Sequence, residues 1–294
     1  MFGVRLASSV VLFFLTVFFL TQGGVLLYLA IFTISIKGYL EYTKAVKIPR
    51  KNKGLNALEI VGIVGITILY VLMITEKFAK IEFEVTYLLA ITVLTITSML
   101  FIYVIGFPKY NIAKIAEAAF GFVYIPVMLS FVCLTRNFPE VGKKVVWLIA
   151  ISAWGSDTFA YCVGMITGKC FSNHKAFPVL SPKKSIEGCI GGIVGSTLLG
   201  AGFGAFFLSD VQIFSIPNEY IIIATSIIGA IGSVIAQCGD LVASAIKRNY
   251  DIKDFGNVIP GHGGIIDRFD SIIFTAPAIY FLVYILIDLS KYIQ

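Results

Sequence analysis

Long apolar stretches alternate with short polar ones along this chain, and the length of the apolar stretches decides the fold. A hydrocarbon layer about 30 Å thick is crossed by a helix of about 20 mainly apolar residues. Runs of this kind lie near residues 6–21, 25–43, 57–75, 85–106, 116–135, 145–166, 188–208, 220–246 and 271–289. The pattern predicts an all-α, polytopic integral membrane protein with about nine transmembrane helices. The first run is the shortest and has the length of a leader segment. However, Gln22-Gly23-Gly24 offers no small-residue cleavage pattern and a second apolar run follows at once, so a tight two-helix hairpin is expected. Asn56 followed by Glu59 has the form of a capping box for the third helix. Pro108 follows the fourth run, where a helix must already have stopped.

Basic residues set the orientation, because they are retained in cytoplasmic loops. With a cytoplasmic N-terminus, 17 of the 23 Lys and Arg residues fall on the inner side, and the C-terminus faces out. The cluster from Lys44 to Lys53 reads as a topogenic loop facing anionic lipid. On this reading residues 1–115 are helices without a chemical constellation. Residues 116–294 form the catalytic region, with cytoplasmic loops at 167–187 and 247–270.

Composition agrees: 58% of residues are hydrophobic, 14% are charged and the mean hydropathy is +0.91. A soluble domain, with roughly 25% charged residues, is excluded. The net charge of +6 suits anionic lipid or phosphorylated substrates in this setting, and no nucleic acid partner is expected. The five cysteines show no CxxC spacing, which argues against zinc or a disulfide framework, and they read as small buried hydrophobes.

Chemistry concentrates in the two loops and the helices that feed them. Asp240 lies inside the eighth run, with Ser244, Lys247 and Arg248 on the same helical face at offsets of 4, 7 and 8. An ionisable residue in a spanning helix costs about 2.5–3.5 kcal/mol on insertion scales, so it faces a polar cavity and a partner. Asp240 and Asp267 suit a divalent metal such as magnesium, which prefers a few carboxylates with phosphate oxygens and water. The alternative is that Asp240 is paired with Lys or Arg simply to be buried. Asp157 lies inside the sixth run, one turn before Tyr161, so two intramembrane aspartates point to one shared pocket.

Lys183 and Lys184 sit beside a helix that Ser185 can cap, which makes either an anion site or a solvated basic turn. His262, between Gly261 and Gly263, reads as a loop-ordering hydrogen-bond partner or as a proton donor to a leaving group. His174 is assigned to solvent.

The run from Ser244 to Asp270 resembles the signature of phosphatidate cytidylyltransferases, also called CDP-diacylglycerol synthases. Its pattern S-x-φ-K-R-x4-K-D-x-G-x2-φ-P-x-H-G-G-φ-x-D-R-φ-D, where φ is apolar, is met at every specified position over 27 residues. The segments 157–168 and 181–188 resemble the family's sixth-helix aspartate region and its S-P-K-K-[ST]-x-E-G loop. The resemblance implies a nucleotidyltransferase of phospholipid biosynthesis that converts CTP and phosphatidic acid to CDP-diacylglycerol and pyrophosphate. It implies magnesium, with potassium assisting as a second cation, and a homodimer in the cell membrane with its active site facing the cytoplasm.

Carried over residue by residue, Asp240 and Asp267 are the metal carboxylates. Ser244, Lys247, Arg248, His262, Arg268 and Asp270 complete the catalytic set. Ser181, Lys183, Lys184, Asp157, Lys253 and Asp254 fall to substrate binding. Two rivals are a CTP-dependent polyprenol or dolichol kinase, which transfers the γ-phosphoryl group, and a transporter. The first lacks the full signature, and the second sits poorly with the absence of a two-fold sequence repeat.

The predicted topology has a direct check. Single reporter cysteines at Asn173, Asn257 and Gln294, in a cysteine-free background in sealed vesicles, are expected to label alike at the first two positions and oppositely at the third. Any other grouping overturns the nine-span arrangement.

Overall fold

The computed structural model describes residues 2–49, 54–79, 85–170, 174–209, 218–258 and 263–290. These form nine long helices and one hairpin: α1 (Phe2–Gln22), α2 (Gly24–Ala45), α3 (Ala57–Ala79), α4 (Val85–Ile105), α5 (Ile112–Arg136), α6 (Gly142–Cys170), β1 (Lys175–Phe177), β2 (Ser181–Ser185), α7 (Ile186–Leu208), α8 (Asn218–Asn249) and α9 (Ile266–Ser290). Eight of them, α2 to α9, are long and apolar enough to cross a membrane, and the apolar part of α1, Val10–Gln22, is shorter. The all-α polytopic architecture therefore matches the hydropathy pattern. On α4, Leu89, Leu94, Phe101, Val104 and Ile105 are each 62–70% exposed, an apolar surface suited to lipid and not to water.

The chain divides into two compact units. One comprises residues 1–133 and 250–268, and the other residues 134–249 and 269–294. This division returns the segment 250–268 to the N-terminal helices, and so runs along a different line from a boundary at 115/116.

In the first unit the Asn56 capping box forms as its sequence predicts. The Asn56 amide donates to Glu59 Oε2 at 2.8 Å and Asn56 Oδ1 accepts from the Leu58 amide at 3.0 Å. Glu59 is fully buried, yet its Oε1 receives the Thr43 hydroxyl at 2.7 Å. A π-helical turn at Val123–Val127 absorbs Pro126, which has no N–H to give. The Pro126 carbonyl accepts from the Tyr70 hydroxyl at 3.2 Å, and that hydroxyl also bonds Ser35 at 2.9 Å.

In the second unit the glycine-rich helix α7 lets its neighbours approach closely. A methyl group on Gly229 of α8 would press on the Ser196 backbone, and one on Gly200 would collide with the Thr225 carbonyl. Three details depart from the sequence reading. Helix α8 runs on to Asn249 and α9 begins at Ile266, so the loop between them is 250–265 and not 247–270. Basic residues in the last turn of α8 and Asp267 in the first turn of α9 complement the helix dipoles and favour these extensions. The segment before α7 holds a two-stranded antiparallel hairpin. Finally, Cys133 is buried as expected but Cys162, Cys170 and Cys238 are exposed, since a thiol on an outward helix face meets lipid at little cost.

The α7–α8 packing yields a prediction. Gly229→Ala should destabilise the detergent-solubilised protein by about 1–3 kcal/mol through overpacking, whereas Gly202→Ala, with open space around its Cβ position, should leave thermal unfolding unchanged. Equal melting temperatures for the two variants would contradict the close approach.

Candidate active site

Within the second unit, Asp157, Tyr161, Lys183, Lys184, Ser185 and Gln237 line a cavity of about 410 Å³. The π-helical turn Ile151–Gly155 immediately precedes Ser156 and Asp157, as such turns often do at functional positions. Three polar contacts then lock the helices that carry the site. The Ser233 hydroxyl donates to Ser156 Oγ at 2.8 Å, and Gln237 Nε2 donates to the Cys189 carbonyl at 3.1 Å and to Ser156 Oγ at 3.3 Å. Gln237 stands three residues before Asp240 on α8.

Lys184 Nζ lies 2.6 Å from Asp240 Oδ2, with the two side chains 22% and 30% exposed. The lysine comes from β2 and the hairpin delivers it. Ser185 ends the strand and caps α7, its Oγ accepting from the Gly188 amide at 3.1 Å. An ammonium carries three donors and one carboxylate cannot occupy them all. Among the described residues the shielded Lys184 ammonium makes no further well-aligned hydrogen bond.

Asp157, Asp240 and Asp270 lie within electrostatic reach of one another, with Lys184 and Lys247 as the nearby cations. Asp270 Oδ1 accepts from the Ser271 amide at 2.8 Å and from the Ser271 hydroxyl at 3.4 Å. Three carboxylates and two lysines thus share one polar region, and carboxylate oxygens are the donors that a hard divalent cation takes. No group of three acidic, His or Cys side chains closes into a ligand set by itself among the described residues. A metal here would therefore need oxygens from its substrate or from water.

The first unit holds the rest of the signature. Asp267 Oδ2 accepts from the amides of Phe255 at 2.9 Å and Gly264 at 3.0 Å, which ties the loop to the start of α9. Gly263 adopts φ +85°, and a Cβ there would come within 3.0 Å of Asp267 Oδ2, so only glycine suits the position. Tyr250, at the loop's entry, donates to Glu117 Oε1 at 2.8 Å. Lys114 pairs with Glu117 at 2.7 Å and donates to the Val46 carbonyl at 2.7 Å. Burial and the Glu117 carboxylate push the Tyr250 phenol up to about 12, so it stays a proton donor throughout the physiological range.

The predicted residues thus fall in two groups. Asp157, Ser181, Lys183, Lys184, Asp240, Ser244, Lys247, Arg248 and Asp270 belong to the second unit, while Lys253, Asp254, Asp267 and Arg268 belong to the first. Lys253, Asp254, Arg248 and Arg268 are exposed. His262 lies outside the described residues. His174 is exposed, but it is not without a neighbour as the sequence suggested: its Nδ1 lies 2.7 Å from Glu187 Oε1.

Sequence reasoning overlooked Gln237, Ser156, Ser233 and Ser271, whose polarity is unremarkable in a serine- and glycine-bearing helix. It also overlooked Glu41. This residue is an acid inside an apolar run, the same signal that singled out Asp157 and Asp240.

The match to known proteins covers almost the whole of this arrangement. Residues 3–286 match the model of the cytidylyltransferase family, so the chain belongs to that family. It is 32% identical over 230 residues to the phosphatidate cytidylyltransferase of Bacillus subtilis, covering 78% of this chain and 81% of that one. It is also 38% identical over 177 residues to the phosphatidate cytidylyltransferase of Rickettsia felis, covering 59% of this chain and 74% of that protein. The one from Rickettsia typhi is 41% identical over 162 residues, with 54% and 67% covered.

Gln237→Leu tests the polar lock. It removes the donor while keeping the bulk, and leaves the Cys189 carbonyl without it, so a loss of about 1–3 kcal/mol in unfolding free energy is expected. Unchanged thermal stability would show that the contact holds nothing.

Proposed function

We propose that the chain is a phosphatidate cytidylyltransferase, which joins CTP to phosphatidic acid and releases CDP-diacylglycerol and pyrophosphate. One observation carries the reading. A shielded lysine ammonium sits 2.6 Å from a membrane-helix carboxylate at a cavity that exposed Tyr161 and Met165 also line, in a chain whose relatives bear that enzyme's name. Charged groups there suit a phosphate, and exposed apolar ones suit acyl chains that never leave the bilayer.

The phosphate of phosphatidic acid is already anionic near neutral pH, so it needs no strong base. Its oxygen forms a bond to the α-phosphorus of CTP while the bond from that phosphorus to the bridging oxygen breaks, and pyrophosphate leaves with the electron pair. The obstacle is repulsion between two anions. Lys183 and Lys184 are assigned to the β- and γ-phosphates, beside the capped N-terminus of α7. Lys247, Arg248 and Arg268 neutralise charge around the reacting phosphorus, with Ser181, Ser244, Lys253, Asp254 and His262 as polar contacts and Asp157 and Asp270 balancing the lysines.

Bound magnesium would neutralise nonbridging phosphate oxygens, held by Asp240 and Asp267 with potassium as a second cation. The proposal places the enzyme in the cell membrane as a homodimer, with both loops on the cytoplasmic side where CTP is found.

Supplying purified protein with CTP, magnesium and phosphatidic acid should release pyrophosphate. Release of CDP instead would indicate a lipid kinase. Asp240→Asn and Asp267→Asn should each abolish turnover in folded protein, and activity within about threefold of wild type, under about 0.7 kcal/mol, would remove that residue from the metal site. The double variant Lys183→Gln/Lys184→Gln should raise KM for CTP by roughly tenfold or more, about 1.4 kcal/mol, with a smaller change for phosphatidic acid. An unchanged KM for CTP would return the pair to a topogenic role.

A further inference from the structure

Glu41 lies on α2, far in sequence from the signature, yet the hydrogen bonds its carboxylate accepts come from within the signature segment. The residue is 8% exposed. Its Oε2 accepts from the Ile265 amide, the last of the loop, at 2.7 Å and from the Ile266 amide, the first of α9, at 3.3 Å. Neither amide has a partner within that helix, so Glu41 caps α9 from another segment of the chain. Its other oxygen, Oε1, is buried and accepts no hydrogen bond among the described residues.

The reason for this placement lies in two glycines. A methyl group at Gly256 would collide with Glu41 Oε1, and its three nearest neighbours would all be Glu41 atoms. A methyl group at Gly264 would meet Glu41 Oε2 and the Gly256 amide. Two of the signature's glycines therefore make room for a carboxylate that the signature does not contain. Lys37, one turn earlier on α2, and Asp267 are the charged groups that act on it. Asp267 takes its own two amide bonds from the residues flanking this contact, Phe255 beside Gly256 and Gly264 beside Ile265.

We propose that Glu41 is a positioning residue: by capping α9 and filling the space between Gly256 and Gly264, it holds the loop in the form that presents Asp254 and Asp267. The consequence for metal use rests on the assignment of Asp267 to the magnesium site, whereas the consequence for loop order does not. An unpartnered carboxylate oxygen kept out of water is a cost the fold accepts in return for rigidity where a metal ligand must be held still.

The test uses the full chain in detergent, with three readouts: tryptic cleavage after Lys253 in the absence of substrate and metal, the magnesium concentration for half-maximal pyrophosphate release, and thermal unfolding. Glu41→Ala should speed cleavage at least tenfold and raise the magnesium requirement at least fivefold, with KM for CTP changed less than twofold. Glu41→Gln keeps an acceptor for the two amides and should stay within about threefold of wild type in cleavage. Gly256→Ala pushes the carboxylate off its donors and should reproduce Glu41→Ala, and the double variant Glu41→Ala/Gly256→Ala should be no worse than Glu41→Ala alone.

Wild-type cleavage in Glu41→Ala, or additive effects in the double variant, overturns the proposal. Should Glu41→Ala not fold, Gly256→Ala and Glu41→Gln decide alone, and wild-type cleavage in Gly256→Ala overturns it equally. Asp267→Asn separates the two readings. If it keeps turnover within about threefold of wild type the metal assignment falls, while the cleavage rates still decide the role of Glu41.

Discussion

Charge buried in an apolar helix has to be answered locally, by an opposite charge or by N–H groups aimed at it, because no water is available to do so. The polar part of this molecule is organised around that constraint. Asp240 is answered by Lys184, which arrives on a short strand. Glu41 and Asp267 are answered by backbone amides at the start of α9 and in the loop before it. Glu59 is answered by a capped helix end and a threonine hydroxyl. In each case at least one answering group comes from a part of the chain twelve or more residues away, so satisfying the charge also fixes where that part goes.

This makes the polar contacts architectural as well as chemical. The hairpin that supplies Lys184 also ends in the cap of α7, so the cation and the helix N-terminus reach the cavity together. The loop that carries Asp254 and leads into Asp267 is gripped at its entry by Tyr250 and Glu117 and at its exit by Glu41. A phosphoryl site that must hold two anions gains most from groups whose positions are set before substrate arrives, since reorganisation at the moment of reaction is then avoided.

How much of this was legible beforehand follows from the range of each interaction. The spanning helices were readable because bilayer thickness imposes their length on every apolar run, and the caps at Asn56 and Ser185 because a cap and its helix are neighbours in sequence. The residues of the proposed site were legible through their motif, which concentrates Ser244 to Asp270 in one stretch. Glu41 was not, because the amide it binds is 224 residues away and nothing at either position names the other. The hairpin escaped because strands of three and five residues, rich in lysine and serine, carry no usable alternation of polarity. The exposed cysteines escaped because lipid rewards an apolar side chain outside as readily as inside.

The central claim is that the protein moves a cytidylyl group, with the attacking oxygen supplied by a lipid phosphate. The most direct measurement supplies the purified protein with phosphatidic acid, magnesium and CTP carrying a radiolabel at either the α- or the γ-phosphorus, and then counts the extracted lipid. The account predicts label in lipid from the α position alone, with the γ label leaving in pyrophosphate. Label entering lipid from the γ position would contradict it and make the protein a kinase.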